Sequence, residues 1–408
     1  MLLNLERARA RMRERGLDAL IATSPENVVY ASGYANWTLE TFRDDEVYAV
    51  VPREGELTLV LPLSGMDYLA ERPADVDRLY TYGSFYVVAS PGVPLSGAEA
   101  RLRDLREHTP RFADARPALH QALRDLGLTG ARLGVDERGM SWVRWGGLVE
   151  TLAPAQVTPA GEDFRSIRRV KSAPENERLR SAAHAVEAGM HAAFQCARPG
   201  ASEASLGAAF RAAVIAAGAV PGHWETSVGT RSSASFPASW SHHVQPGDIV
   251  RSDCGGRFQG YWADTGRTIA VGSPPAKLER YYQAIRAGVD AMLALIRPGV
   301  AVSALFEAGV ESVRQAGIPH FERHHAGHGI GLEMYEAPLI RPDAAGSAPA
   351  KLDRLEAGMV INVELPYYEL GLGGVQLEET LVVREHGYEL LTAASRELMG
   401  GAGLVAGS

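Results

Sequence analysis

The chain has 408 residues, 46% of them hydrophobic and 22% charged, with a formal net charge of −8 at pH 7. That length carries two sizeable cores, and the acidic balance excludes an electrostatic footprint for nucleic acid or an anionic membrane surface. Two cysteines, Cys196 and Cys254, make no disulfide framework, and no apolar run is long enough to cross a bilayer. The opening Met-Leu-Leu-Asn-Leu-Glu-Arg-Ala-Arg lacks the basic and apolar regions of a signal peptide, so a cytoplasmic location is expected. Residues 1 to about 20 read as an amphipathic helix with Leu5, Ala8, Met12 and Leu17 on one side. Strand-like runs follow at Ala19–Ala22, Val47–Val51 and Leu57–Leu61. An α/β domain over residues 1–165 is expected, with a second domain over 166–408.

The second domain opens near Arg168-Arg169-Val170-Lys171, where Ser172 and Glu175 have capping-box spacing. The helix after them carries Leu179, Ala182, Val186, Met190 and Ala193 on one stripe. An internal repeat follows. Arg198-Pro199-Gly200 recurs as Arg297-Pro298-Gly299, Leu206 as Leu305, and Ala217-Gly218 as Ala316-Gly317, always 99 positions on (297 − 198). Each copy reads as helix, turn, helix and terminal glycine.

Five short strings carry the chemistry: Ser-Asp-Cys-Gly-Gly (252–256), Tyr-Trp-Ala-Asp-Thr-Gly-Arg-Thr (261–268), Gly-His-Gly-Ile-Gly (327–331), Val-Ile-Asn-Val-Glu-Leu-Pro (360–366) and Val-Gln-Leu-Glu-Glu-Thr (375–380). They supply Asp253, Asp264, His328, Glu364 and Glu378, four carboxylates and an imidazole. A hard, oxygen-rich donor set of this kind suits one or two divalent ions of the manganese, iron, cobalt or zinc type. Glu364 lies in the apolar run Met359–Leu365, and a buried carboxylate there needs a cation or a proton. Arg267 offers one charge, too little for four carboxylates. Asp253 and Asp264 are 11 positions apart (264 − 253) with Gly255, Gly256 and Gly260 between them, which suits a hairpin. Cys254 is expected to point to the opposite face of its strand from Asp253.

In this order the strings resemble the pita-bread metallopeptidases, which include methionine aminopeptidase, aminopeptidase P and prolidase, and the related creatinases. The opening through Asn27–Tyr34 resembles the creatinase and prolidase N-terminal domain. The resemblance implies an α+β catalytic domain of two pseudo-symmetric halves with the metal site between them, on the inner face of a curved antiparallel sheet. It implies a dinuclear hydrolase of C–N amide bonds, with an Xaa-Pro dipeptide or short peptide as substrate, manganese as the first choice of ion and cobalt, iron or zinc as others. Asp253 and Asp264 would hold one ion, His328 and Glu364 the other, with Asp264 and Glu378 bridging; Glu364 would also carry a proton to the leaving nitrogen. His324, four residues before His328, matches a family histidine.

Around that set the family pattern is altered. Tyr335 and Phe236 stand where the family has histidine, with His242 and His243 near the second position; Gln376 stands where it has arginine, and Glu379 where it usually has aspartate. Tyr335, His243, Phe236 and Gln376 are therefore the expected substrate-binding positions. The altered positions keep open a non-peptidase member of creatinase or ectoine-hydrolase type, or a lyase, acting on a small solute. A scaffold that has lost its metal ligands is disfavoured, because all five are present. A homodimer is expected; the resemblance offers Trp37, Phe42 and Arg43 as caps on the neighbouring subunit's site, with ordinary packing and a surface arginine the favoured reading of each one singly.

Overall fold

The structure, a computed structural model, describes residues 1–42, 45–138, 140–235, 241–342 and 354–400. The chain divides into two compact units, Met1–Arg168 and Arg169–Ser408. In the first, the opening helix covers Leu5–Arg15 and stops at Gly16, sooner than its apolar spacing predicts. Ala8 and Met12 are buried on it, and Leu17 is buried beyond its end. The strand Ala19–Ala22, buried at every position, lies inside a seven-stranded mixed sheet. It pairs antiparallel with Tyr48–Pro52 and parallel with Arg132–Val135. Ile21, Tyr48 and Val50 pack with Leu119 and Leu133 in the core of this unit. Such side chains contribute roughly 1.5–3 kcal/mol each when fully buried. Trp37 and Phe42 are exposed, their rings 5.5 Å apart; Arg43 lies outside the described residues.

The second unit begins on its capping box, with the Ser172 N–H donating to Glu175 Oε2 at 2.7 Å. The helix Ala173–Cys196 that follows buries Leu179, Ala182, Val186, Met190 and Ala193. It is paired in sequence with Glu203–Ala216, and 99 residues on the pattern returns as Ala276–Leu295 and Val302–Gln315. The repeat extends to backbone bonds that no side-chain pattern announces. Gly200 and Gly299 donate their N–H groups to Val244 O and Leu355 O at 2.9 and 2.8 Å. Val244 and Leu355 in turn donate to Ala201 O and Val300 O. Ser202 bridges His243, and Ala301 bridges Arg354.

Each half carries its own sheet. The first contains Val220–Val228, Ile249–Phe258 and Tyr261–Ala270, with Met399–Gly400 added in parallel at the edge. The second runs Glu336–Leu339, His328–Gly329, Val360–Glu364, Glu378–Arg384 and Gly387–Leu390. The one curved sheet expected from the sequence is thus two hydrogen-bonded sheets. Polar side chains join them: Asn362 Nδ2 and Thr380 Oγ1 both donate to Asp264 O, at 3.4 and 2.9 Å. Behind the second sheet, Ile285, Val289, Met292 and Val310 pack with Ile361 and Val363.

Candidate metal centre

The strands Ile249–Phe258 and Tyr261–Ala270 form a hairpin closed by Gln259-Gly260, at φ 49° and 88°. Two successive positive φ values give the turn whose twist matches its flanking strands. The register pairs Asp264 with Gly255 and Asp253 with Gly266. Partners across an antiparallel ladder share a face, so the two carboxylates project to the same side. The third strand pairs Glu225 with Asp253, and His223, two residues before Glu225 and within the bulge between Pro221 and Trp224, lies on that face as well. Cys254 is fully buried, its thiol within 3.5 Å of Ser252 Oγ, and burial pushes its pKa well up. In the second sheet Glu364 pairs with Glu378, and Ile361 with Gly329 beside His328.

Together these strands wall a cleft of about 300 Å³, lined among others by His223, Asp253, Asp264, Tyr335, Glu364 and Glu378. Among the described residues, two groups of donor atoms lie within 4.8 Å of one another: His223, Asp253 and Asp264, and Asp264, His328 and Glu378. Asp264 belongs to both. Glu364 belongs to neither; its Oε1 accepts a hydrogen bond from His325 Nε2 at 2.9 Å, and Arg323 lies 3.8 Å from its Oε2.

The electrostatics call for added positive charge. Burial, and then the carboxylates of Asp264, Asp253 and Glu364, raise the Glu378 carboxyl well above the usual range. Burial pushes Glu225 up to about 7, with Asp253 adding to it. Burial alone would lower the His223 imidazole, yet Asp264 and Asp253 push it up to about 11. Burial works against ionised Asp253, but hydrogen bonds from His223 and Gln376 hold it below the ordinary value. Arg267 does not relieve this charge. Its guanidinium donates to Glu379 Oε1 at 3.0 Å and to the backbone carbonyl of Glu378, on the far side of the strand from the Glu378 carboxylate. His328 Nε2 is buried without a hydrogen-bond partner, 3.8 Å from Asp264 Oδ2. An orphaned imidazole nitrogen among raised carboxylates is the donor chemistry of a divalent-ion site, so these residues fit the group.

The positions expected to bind substrate separate into different places. Tyr335 lines the cleft, 45% exposed, its ring stacked on His328 at 3.8 Å between centroids. Burial, and then the surrounding carboxylates, hold its phenol protonated. Gln376 is fully buried and donates to Asp253 Oδ2 at 2.8 Å, so it serves the acidic group and does not line the cleft. His243 is exposed, bridges Ser202 through its backbone and is not among the lining residues. Phe236 lies outside the described residues. His324 lines the cleft from an exposed position, while its neighbour His325 makes the bond to Glu364. His223, His325, Arg323 and Glu225 were not anticipated. For His223 the available signal was Gly255: a small residue two positions after Asp253, on the same face, marks space for a side chain from the next strand.

The sequence profile described as metallopeptidase family M24 matches residues 177–385, half of the chain. The chain belongs to metallopeptidase family M24. Residues 4–170 match the creatinase/prolidase N-terminal domain. The chain is 28% identical over 240 residues to an Xaa-Pro dipeptidase of Pyrococcus furiosus, covering 58% of this chain and 66% of that one. It is similar in structure to dipeptidase PepE from Mycobacterium ulcerans, with a TM-score of 0.73, 25% identity and 97% and 96% of the two chains covered. The prolidase of Pyrococcus horikoshii shares the fold at a TM-score of 0.75 and 22% identity, over 97% and 99% of the chains. This M24 chain therefore has the two-domain pita-bread architecture and is a metal-dependent hydrolase of the peptidase class.

Proposed function

We propose that this M24 enzyme is a cytoplasmic dinuclear peptidase that cleaves Xaa-Pro dipeptides or short peptides. The observation that carries the reading is the gathering of Asp253, Asp264, Glu378, Glu364 and His328 around one small cleft. About 300 Å³ is at the low end for ligand pockets and suits a dipeptide better than a long chain. Asp253 and Asp264 would hold one divalent ion, His328 and Glu364 the other, with Asp264 and Glu378 shared. When bound, such ions neutralise the carboxylates, make a water acidic and polarise the scissile carbonyl.

The chain's own groups supply the rest. Glu364, fixed by His325 at 2.9 Å, is placed to take a proton from the attacking water and pass it to the leaving nitrogen. Tyr335, held protonated, is a donor for the developing oxyanion or for a substrate carboxylate. His324 adds a cleft-lining imidazole whose pKa is lowered, first by burial and then by His325 and Arg323, so that it is neutral near pH 7. The dipeptidase names of the relatives support the substrate class, and a homodimer remains part of the proposal.

The test is a screen of metal-reconstituted protein against proline dipeptides, longer Xaa-Pro peptides and small cyclic or methylated amides. Cleavage of proline dipeptides is expected, with loss of bound metal and turnover together in Glu378→Ala. Activity confined to the small amides would replace the peptidase reading by the solute-hydrolase one. Full metal content in Glu378→Ala would remove that residue from the ligand set.

A further inference from the structure

His223 has no counterpart in the five sequence motifs, yet it reaches the centre of the acidic cleft. It enters from the strand Val220–Val228 at the bulge opposite Gly255. A bulge re-aims a side chain, and here it lays the imidazole over the neighbouring backbone. A Cβ on residue 255 would come within 2.3 Å of His223 Cε1 and 2.5 Å of Nδ1, so only glycine leaves that seat open. The buried Nδ1 makes no hydrogen bond. Nε2 lies 3.3 Å from Asp253 Oδ1 and 3.1 Å from Asp264 Oδ1.

Those distances suit donors gathered around one shared ion, and the three side chains form one of the two donor groups whose atoms lie within 4.8 Å of one another. Donors that share one ion at bond lengths of about 2.1 Å stand roughly 3.0–3.4 Å apart in octahedral or tetrahedral shells. Both His223 contacts fall in this range. We propose that His223 is a nitrogen ligand of the metal position framed by Asp253 and Asp264. Each of the two positions then holds one imidazole, His223 in one and His328 in the other. Nitrogen donation favours zinc or cobalt over manganese at the first position. This rests on the two-ion reading above.

The full-length protein, stripped with a chelator and reloaded with zinc, provides the test. X-ray absorption of the two-zinc wild type should count an average of one imidazole per zinc, and His223→Ala should halve it. An average of half an imidazole per zinc in the wild type overturns the proposal, and this measurement needs no variant to fold. In calorimetric titrations with zinc, His223→Ala should weaken one of two equivalents by about 10–100-fold or more, the range known for perturbing a metal site's support, while manganese binding changes less. Unchanged zinc affinity at both positions also overturns it. Fewer than two zinc ions on the wild type sinks the two-ion reading instead, and the imidazole count on the remaining ion still reports on His223.

Discussion

Gln376 stands where the resembled peptidases carry arginine, but a guanidinium still reaches Asp253 by relay. Arg251 Nη1 donates to Gln376 Oε1 at 2.9 Å, and Gln376 Nε2 donates to Asp253 Oδ2 at 2.8 Å. Arg251 is fully buried, bonded to Ser232 O and Ala234 O and lying over the Tyr368 ring at 5.1 Å. Gly266 provides the space, since a Cβ there would come within 2.5 Å of Gln376 Nε2. Arg251→Met strands two buried acceptors, Gln376 Oε1 and Ser232 O, each at a cost of about 1–3 kcal/mol, and a fall in unfolding free energy on the order of 3 kcal/mol is expected. Gln376→Arg alone should also destabilise, because it sets two guanidinium groups against each other. Combined with Arg251→Met it should recover much of the loss. A double-mutant cycle by urea denaturation measures this, and strict additivity would show that the two residues do not act as one unit. At this scale the sequence was legible where a residue sits inside a motif. Asp253, Asp264, His328 and Glu378 meet as their strings imply. His223, His325 and Arg251 were hidden because each acts across strands, at a separation that no local pattern encodes. His324 drew attention by its spacing, and the bond to Glu364 comes from the next residue.

Single elements were legible where local chemistry decides them. The capping box at Ser172 and Glu175 and the buried stripe after it appear as spacing predicts. The strands predicted at Val47–Val51 and Leu57–Leu61 fall one residue later, at Tyr48–Pro52 and Thr58–Pro62, because the ladder with the neighbouring strands sets their ends. The helix Pro25–Ser32 carries buried residues on nearly every side, so no amphipathic period announces it. Lys171 gives an element-level test. Its Nζ lies 2.9 Å from Glu336 Oε2, both side chains 1% exposed, and the pair joins the segment before the long helix to the strand Glu336–Leu339. Removing one partner of a buried pair costs about 3–5 kcal/mol, whereas replacing both by apolar groups is nearly neutral. Lys171→Met should therefore lower stability strongly, and Lys171→Met with Glu336→Leu should restore most of it. Equal losses in the single and double variants would show that Glu336 is satisfied by other partners.

On the scale of the whole chain, charge is concentrated where the second unit needs an ion, and this separates the two units energetically. The raised carboxyl of Glu378 and the orphaned His328 nitrogen belong to Arg169–Ser408 alone. Met1–Arg168 has its own sheet and its own core. An ion that binds only the folded form stabilises by RT ln(1 + [L]/Kd), about 4 kcal/mol when free metal stands a thousandfold above Kd. That gain is available to the second unit and not to the first. Differential scanning calorimetry of the full chain should show a transition that moves down on chelation and returns with added zinc or manganese. A second transition, from the N-terminal unit, should stay within about a degree or two, since no linked ligand leaves it. Limited proteolysis during the chelated melt should cut first within 169–408. If chelation leaves every transition in place, the acidic cleft binds no ion tightly, and the charge argument from Glu378 and His328 fails with it.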